Sequence, residues 1–134
     1  DKNGEQKSAW MGSYGIGITR VMGVIAEKFS DEKGLIWPEN IAPAKIYLVQ
    51  IGEKSQELAE EIYNEFSKKG IEVLFDDRNL RPGQKFADAE LMGIPYRLTI
   101  SDRLLESGKF EVVTRANGEV ELLSREELFE KFVK

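Results

Sequence analysis

The chain has 134 residues, a formal net charge of −5, and neither cysteine nor histidine. The two missing residue types exclude disulfides, thiol nucleophiles, Cys/His zinc sites and catalytic triads built on imidazole. A metal ion would need carboxylate and carbonyl ligands, which favours magnesium or calcium. The length suits about one domain, and no apolar run approaches the ~20 residues of a membrane span. The acidic balance argues against a general nucleic-acid coat, but it allows a local patch that reads a few unpaired bases.

The chain begins with a polar segment, residues 1–7, which contains the hairpin-type pair Asn3–Gly4. A hairpin turn at this pair would need a strand before it. The segment is therefore either a polar tail or the remainder of a hairpin from a longer protein. Residues 8–14 are predicted to be extended.

A helix is predicted next, because apolar residues recur at helical spacing. Its stripe consists of Ile18, Val21, Met22, Ile25 and Phe29, and the helix should end before Ser30. Gly15 and Gly17 precede it, so the backbone could approach a nucleotide closely, and Arg20 could fork onto a phosphate. The alternative is a glycine-rich helix start whose arginine faces solvent. The following connector, residues 35–43, has two prolines and should be ordered because Trp37 favours burial.

The remaining chain alternates strand and helix patterns. Strands are predicted at 46–51, 71–75, 96–101, 110–115 and 119–123, and helices at 54–69, 84–92 and from Ser124 onwards. The last two strands face each other across Asn117–Gly118, and Ser124 with Glu127 forms a capping box. This order predicts an open mixed α/β sheet, parallel in its first three strands, with helices on both faces.

A polar stretch lies at the carboxyl end of the second of these strands, where open α/β sheets place their ligands. Asp76 and Asp77 are adjacent on a strand end and should point to opposite faces, so they make a poor acid–base pair. Arg78, Lys85 and Phe86 combine two cations with an aromatic ring, together with Arg81, and such a set suits unstacked bases. The alternative is a solvated turn with internal ion pairs.

Taken together, these stretches resemble the prolyl-tRNA synthetases of the bacterial type, which belong to the class II aminoacyl-tRNA synthetases. Residues 11–20 resemble motif 3 of that class, residues 34–43 the exit from its catalytic domain, and residues 76–95 its anticodon-binding domain. The resemblance implies a three-layer αβα anticodon-binding domain with a five-stranded mixed sheet in residues 44–134. Residues 1–43 would be the strand–helix end of the catalytic domain.

The resemblance also implies that the chain is part of a larger enzyme, called here the parent enzyme. It implies that the parent enzyme is a cytoplasmic homodimer, and it implies an activity. That enzyme activates proline with ATP and magnesium and transfers it to tRNA(Pro). Arg20 matches the motif 3 arginine, a catalytic residue on an ATP phosphate, and Gly15 and Gly17 match the glycines beside the adenosine. Motifs 1 and 2 are not in this sequence, so we expect the chain to be inactive by itself, with no metal site and no bound cofactor.

For the anticodon, the resemblance favours contacts from Arg78, Lys85 and Phe86 to unstacked bases and their phosphates. Glu72 or Asp77 would accept from a guanine edge, since proline anticodons carry two guanines. The expected partner is tRNA(Pro), with no role for DNA or a membrane.

Two other functions compete with this hypothesis. One is a stand-alone anticodon-domain paralogue that acts as a tRNA-binding or accessory module. The other is a flavodoxin-like nucleotide-binding domain, for which Gly52–Ser55 makes a poor phosphate loop. If the catalytic domain is absent, the stripe of the first helix needs another cover, so we expect it to pack on a neighbouring copy, fold back or be disordered.

Overall fold

The computed structural model describes residues 1–133 and follows the predicted order of elements, with additions. The helices are α1 (Ile18–Lys28), α2 (Gln56–Lys68), α3 (Pro82–Met92), α4 (Asp102–Leu105) and α5 (Arg125–Phe132). The strands are β1 (Ser30–Asp31), β2 (Gly34–Leu35), β3 (Ile46–Ile51), β4 (Val73–Asp76), β5 (Tyr96–Ser101), β6 (Phe110–Thr114) and β7 (Val120–Leu123). Helix α3 begins earlier than predicted, because Pro82 fits the first helical position, where an amide hydrogen has no partner in the helix.

The sheet has five strands in the order β4-β3-β5-β6-β7. Strand β3 pairs in parallel with both β4 and β5, while β5–β6 and β6–β7 are antiparallel. This confirms the mixed sheet with three parallel strands. The capping box of the last helix is also present, with the Ser124 side chain accepting from the Glu127 amide and the Glu127 carboxylate accepting from the Ser124 amide.

Helices cover both faces of the sheet, so the three-layer prediction is confirmed. On one face, Leu48 and Leu98 are buried against Phe66 of α2 and Leu128 of α5. On the other face, Tyr47 and Val49 pack against Ala89 of α3. These two cores follow from the period-2 alternation of the central strands, whose successive side chains point to opposite faces.

Helix α3 leaves part of its face of the sheet open. Val120 of β7 is 58% exposed, and its partner across the ladder is Val113 of β6. Arg97 of β5 pairs with Val113 on the other side, so it lies at the boundary between the covered and the open half. A concave surface lined by Arg97 and Val113 lies at this boundary.

Helix α1 is formed, and its apolar stripe lies largely open to solvent. Met22 is 55% exposed, and no residue of the helix is buried. The stripe therefore does not fold back onto the sheet in this chain. Residues 8–14 form no helix or strand, because no neighbouring strand lies beside them among residues 1–133. Within that same range, no helix combines the length and the apolar character needed to cross a membrane.

The small β1–β2 hairpin was not predicted, and it docks backbone to backbone on the end of α3. The Trp37 amide donates to the Gly93 carbonyl at 3.0 Å. A side chain at Gly93 would begin 2.0 Å from the Leu35 oxygen, and one at Gly34 would begin 2.4 Å from the Leu91 Cα. Only glycine permits this approach, which fixes the hairpin relative to the sheet.

Candidate nucleic-acid interface

Two of the concave surfaces among residues 1–133 carry both acidic and basic side chains beside the five-stranded sheet. The first, called here the strand-end cleft, has a volume of about 440 Å³ and lies at the carboxyl ends of β3 and β4. Its walls include Gln50, Glu60, Asp77, Arg78 and Lys85. This is the edge of the sheet where the sequence predicts a ligand.

Arg78 is engaged by acidic side chains within the strand-end cleft. Its Nε and Nη2 donate to the two carboxylate oxygens of Asp76, each at 2.8 Å, and Nη2 also donates to Asp88 at 2.7 Å. The guanidinium lowers the pKa of Asp76 from 3.8 to about 2, and the carboxylates raise the pKa of Arg78. Arg78 therefore closes the turn after β4, as the alternative of internal ion pairs predicted.

Lys85 is almost completely buried, with 3% of its surface exposed. Its Nζ donates to the main-chain carbonyls of Gln50 at 3.0 Å and Asp76 at 2.9 Å. These are a residue of β3 near its carboxyl end and the last residue of β4. The ammonium thus ties the two strands together beneath α3, and burial separates it from any ligand that only touches the surface.

The other predicted anticodon residues lie apart. Phe86 is half-buried on α3 and its ring is covered by the guanidinium of Arg97, while Asp77 is exposed in the strand-end cleft. Glu72 precedes β4, so the whole length of that strand separates its exposed side chain from Asp77. The structure does not bring Glu72, Asp77, Arg78, Lys85 and Phe86 together into one constellation.

The predicted ATP residues lie around the start of α1. Gly17 is the N-cap of the helix in an extended conformation, and its carbonyl accepts from the Val21 amide at 3.0 Å. Gly15 has open space around its Cα, and Arg20 is exposed. Among residues 1–133, the Arg20 side chain has no hydrogen bond or ion pair, so it is available for an anionic ligand.

The second surface, called here the hairpin groove, has a volume of about 310 Å³. It lies between the end of α3, the β5–β6 pair, the β6–β7 turn and the β1–β2 hairpin. Its charged walls are Asp31, Lys33, Glu90, Arg97 and Arg115, and apolar side chains such as Ile94 and Val113 complete it. Arginines and two partly exposed carboxylates in a partly apolar concavity make a set of hydrogen-bond donors and acceptors suited to a polar aromatic ligand.

Arg97 has donors to spare in the hairpin groove. Its Cζ lies 4.4 Å from the centroid of the Phe86 ring, and its Nη2 donates to Glu111 at 3.2 Å. The side chain is only 18% exposed, and its Nε is buried without a partner among residues 1–133. A buried unpaired donor costs free energy, and such costs concentrate at functional sites.

Arg115, in contrast, is fully engaged. Its Nε donates to the Glu90 carbonyl at 3.1 Å, and its Nη1 and Nη2 donate to the two carboxylate oxygens of Asp31 at 2.8 and 2.6 Å. This fork raises the pKa of Arg115 and lowers the pKa of Asp31. On the opposite wall, Lys33 Nζ lies 3.1 Å from the Glu90 carboxylate.

The residue pattern of β5 contains a signal for Arg97. In β5, the polar residues Arg97 and Thr99 alternate with the apolar residues Leu98 and Ile100. Alternation of this kind predicts a strand whose second face is not fully covered. An arginine on that face, next to the helix that covers the rest, is a candidate ligand contact.

A phosphate loop after β3 is excluded by the chain's own carboxylate. Asp102 Oδ1 accepts from the Ser55 amide at 2.8 Å, at the amino end of α2. A side chain at Gly52 would begin 2.3 Å from the same carboxyl group. The position where a nucleotide-binding α/β domain holds phosphate is thus filled, which argues against the flavodoxin-like hypothesis. Within residues 1–133 there is also no group of three or more acidic side chains that could hold a metal ion.

Comparison with known proteins gives a family match. The family model described as "Anticodon binding domain" matches residues 45–134. A proline–tRNA ligase of Persephonella marina is 47% identical over 131 residues, which are 96% of this chain and 23% of that protein. Proline–tRNA ligases of Endomicrobium trichonymphae and Bacillus mycoides are 48% and 46% identical, over 88% and 96% of this chain. The chain therefore spans about a quarter of the length of these relatives.

Proposed function

We propose, from the premise that this chain belongs to the anticodon-binding domain family, that it recognises the anticodon of tRNA(Pro) as part of a proline–tRNA ligase. The match to the family covers residues 45–134. The similarity to proline–tRNA ligases covers most of this chain, and it supports proline as the amino acid and protein synthesis in the cytoplasm as the setting. The parent enzyme would be a homodimer.

The observation that carries the proposal is that Arg97 and the Glu90 carboxylate line the same concave surface, the hairpin groove. Guanine presents acceptors at O6 and N7, which suit an arginine, and donors at N1 and N2, which suit a carboxylate. A base in an anticodon loop is unpaired, so it can turn out of its stack and expose these edges. A guanine of a proline anticodon therefore fits this groove, where Arg97 bonds one carboxylate, better than the strand-end cleft, where Arg78 holds two.

The contribution of this chain to ligation would be a single side chain. Arg20 would contact a phosphate of ATP and stabilise the charge that develops as pyrophosphate leaves. Gly15 and Gly17 would let the backbone lie beside the adenosine. The described residues offer no carboxylate cluster for magnesium, so that ion would be held by other parts of the parent enzyme. We therefore expect no ligase activity from the chain alone.

A stand-alone accessory module that binds tRNA is the competing function. The exposed stripe of α1 argues against it, because Ile18 and Met22 present apolar surface that residues 1–133 leave uncovered. A larger protein whose catalytic part packs on α1 accounts for the stripe. An accessory module would need a separate partner of the same shape.

The proposal is tested with an RNA hairpin that carries the proline anticodon loop and a second hairpin with both anticodon guanines replaced by adenine. Fluorescence anisotropy of the labelled hairpins gives both affinities. Wild-type chain should prefer the first RNA, and Arg97→Met should reduce that preference by roughly 5- to 150-fold, since a good base contact is worth about 1–3 kcal/mol. Equal binding of both RNAs by the wild-type chain would refute the proposal.

Two variants control this experiment. Arg125→Met removes the same charge from α5, where the guanidinium contacts Glu61 and Glu65, and it should leave the preference unchanged. Arg78→Met tests the strand-end cleft directly. If Arg78→Met removes the preference and Arg97→Met does not, the anticodon binds at the strand ends and the hairpin groove is not the site.

A further inference from the structure

The two arginines of the hairpin groove differ in what they can offer a ligand. Arg97 has a single hydrogen-bonded partner among residues 1–133, Glu111. Arg115 uses all three of its nitrogens on partners inside the chain, and its side chain is only 10% exposed. A planar fork of this kind binds a carboxylate and a phosphate with the same geometry. The Asp31 carboxylate therefore occupies the position that a phosphate of RNA would take on Arg115.

Asp31 is held in this position by its own turn as well as by Arg115. Its Oδ1 accepts from the amides of Lys33 at 2.8 Å and Gly34 at 3.1 Å. The hairpin that carries it is in turn fixed on α3 by the close backbone approach at Gly34 and Gly93. The carboxylate is thus placed before any ligand arrives, and to displace it a phosphate would have to break four hydrogen bonds.

Contacts to phosphate and contacts to bases have different consequences for recognition. A phosphate contact strengthens the binding of every RNA by a similar amount and carries no sequence information. A free Arg115 beside Arg97 would therefore raise the affinity for every RNA, including RNAs with the wrong anticodon. Neutralising it inside the chain leaves the groove with Arg97, which bonds only Glu111 among residues 1–133, and with the Glu90 carboxylate beside Lys33.

We propose that Asp31 is a positioning residue of the hairpin groove, an internal anion that keeps Arg115 from binding RNA phosphate and so limits sequence-independent affinity for RNA. The proposal rests on the proposed function, since it takes the groove to be the RNA site. Asp31 itself does not touch the bases. It acts through Arg115, and its effect is to lower the affinity for RNA of any sequence.

The test compares Asp31→Asn with Glu32→Gln in the full chain, using the proline anticodon hairpin and the adenine-substituted hairpin described above. Asparagine retains an oxygen for the turn but loses the charge and the second acceptor. Glu32, the next residue, is exposed and has no ion pair among residues 1–133, so its substitution removes the same charge without freeing Arg115. Asp31→Asn should bind both hairpins roughly fivefold more tightly and leave the preference between them unchanged, while Glu32→Gln should match the wild type.

Salt dependence gives a second readout that a purely structural role of Asp31 would not change. One new phosphate contact should steepen the slope of log K against log salt by about 0.7. The double variant Asp31→Asn/Arg115→Met should lose both the added affinity and the added slope. If the double variant keeps them, or if Asp31→Asn behaves like Glu32→Gln, the inference is wrong.

The same measurements separate this inference from the proposed function. If Arg97→Met loses its preference for the guanine-containing hairpin while Asp31→Asn behaves like Glu32→Gln, the groove binds RNA and only the role of Asp31 fails. If Arg97→Met behaves like the wild type, the groove is not the site and both fail. Thermal unfolding of each variant shows whether it is folded, and a folded Asp31→Asn with unchanged non-cognate affinity counts against the inference.

Discussion

The guanidinium of Arg97 lies over the ring of Phe86, with its Cζ 4.4 Å from the ring centroid. The sequence predicts Phe86 as a platform for a base, but in the folded chain one face of the ring carries Arg97 instead. A cation over an aromatic face is attracted by the ring quadrupole, and the stacking restricts the rotation of the side chain. Phe86 therefore orients the arginine that we propose reads the anticodon.

Replacing Phe86 with leucine should weaken discrimination between the two RNA hairpins by about two- to fivefold. The physical reason is the loss of a cation–π contact worth about 0.5–1 kcal/mol, which leaves Arg97 free to adopt other rotamers. Fluorescence anisotropy with both hairpins measures the change. Phe75→Leu is the matched control, because Phe75 packs with the core on the other face of the sheet. A Phe86 variant that discriminates as well as the wild type would show that Arg97 needs no platform.

Replacing Lys85 with methionine should destabilise the fold and change RNA affinity little. The carbonyls of Gln50 and Asp76, which accept hydrogen bonds from Lys85, would then be buried and unpaired. Each unpaired carbonyl should cost about 1–3 kcal/mol of folding free energy. Urea unfolding measures this loss. Lys68→Met, at an exposed position near the end of α2, is the control. If Lys85 contacts the anticodon, as the sequence predicts, Lys85→Met should instead lose RNA affinity and keep its stability.

The sheet was predictable because its strands carry strong local signals. Strands β3 and β5 have the predicted bounds, because each is limited by a residue unsuited to a central strand. The apolar run of β3 ends before Gly52, and β5 begins directly after Pro95. The β1–β2 hairpin was not predictable in the same way. Its strands have two residues each, and what stabilises it is an ion pair between Asp31 and Arg115, 84 positions apart.

The candidate site was less predictable than the fold because burial decides what a polar side chain can do. Arg78 and Lys85 have the residue types of an RNA contact, but Asp76 engages both, through its carboxylate and its carbonyl. Neither contact follows from spacing alone, since the side chains must first be brought over the strand ends. Arg97 was recognisable only in part, from the alternation in β5, because the open half of its face depends on where α3 ends.

Acid should remove the part of the folding stability that comes from the ionised Asp76 side chain, because this carboxylate is buried. Hydrogen bonds from Arg78 and from the Tyr47 hydroxyl lower its pKa from 3.8 to about 2. A carboxyl group with a lowered pKa stabilises the fold above the pKa of the unfolded chain, near pH 4, and this contribution disappears as pH falls towards 2. Asp76→Asn should therefore cost about 2 kcal/mol at pH 7 and should flatten the loss of stability between pH 4 and 2.

Urea unfolding at a series of pH values measures that contribution. Asp77→Asn is the control, because Asp77 is exposed beside Asp76 and its side chain has no hydrogen bond among residues 1–133. It should follow the wild-type curve. If Asp76→Asn also follows it, the ion pair with Arg78 contributes no net stability and the turn after β4 is held by Lys85 alone.

Two glycine substitutions can separate the docking of the hairpin on α3 from the conformational cost of a positive φ. Gly93 and Gly70 both end helices with positive φ, at +70° and +76°. A side chain at Gly70 meets nothing within 4 Å, whereas one at Gly93 meets the Leu35 oxygen at 2.0 Å. Gly70→Ala should therefore cost only the conformational penalty, about 1–2 kcal/mol.

Gly93→Ala should cost more and should also release the hairpin, so that the Asp31–Arg115 pair opens and non-cognate RNA binds more tightly. Thermal unfolding and anisotropy together check this, and a Gly93 variant that loses stability while non-cognate affinity stays at the wild-type value would break the link between hairpin docking and the control of Arg115.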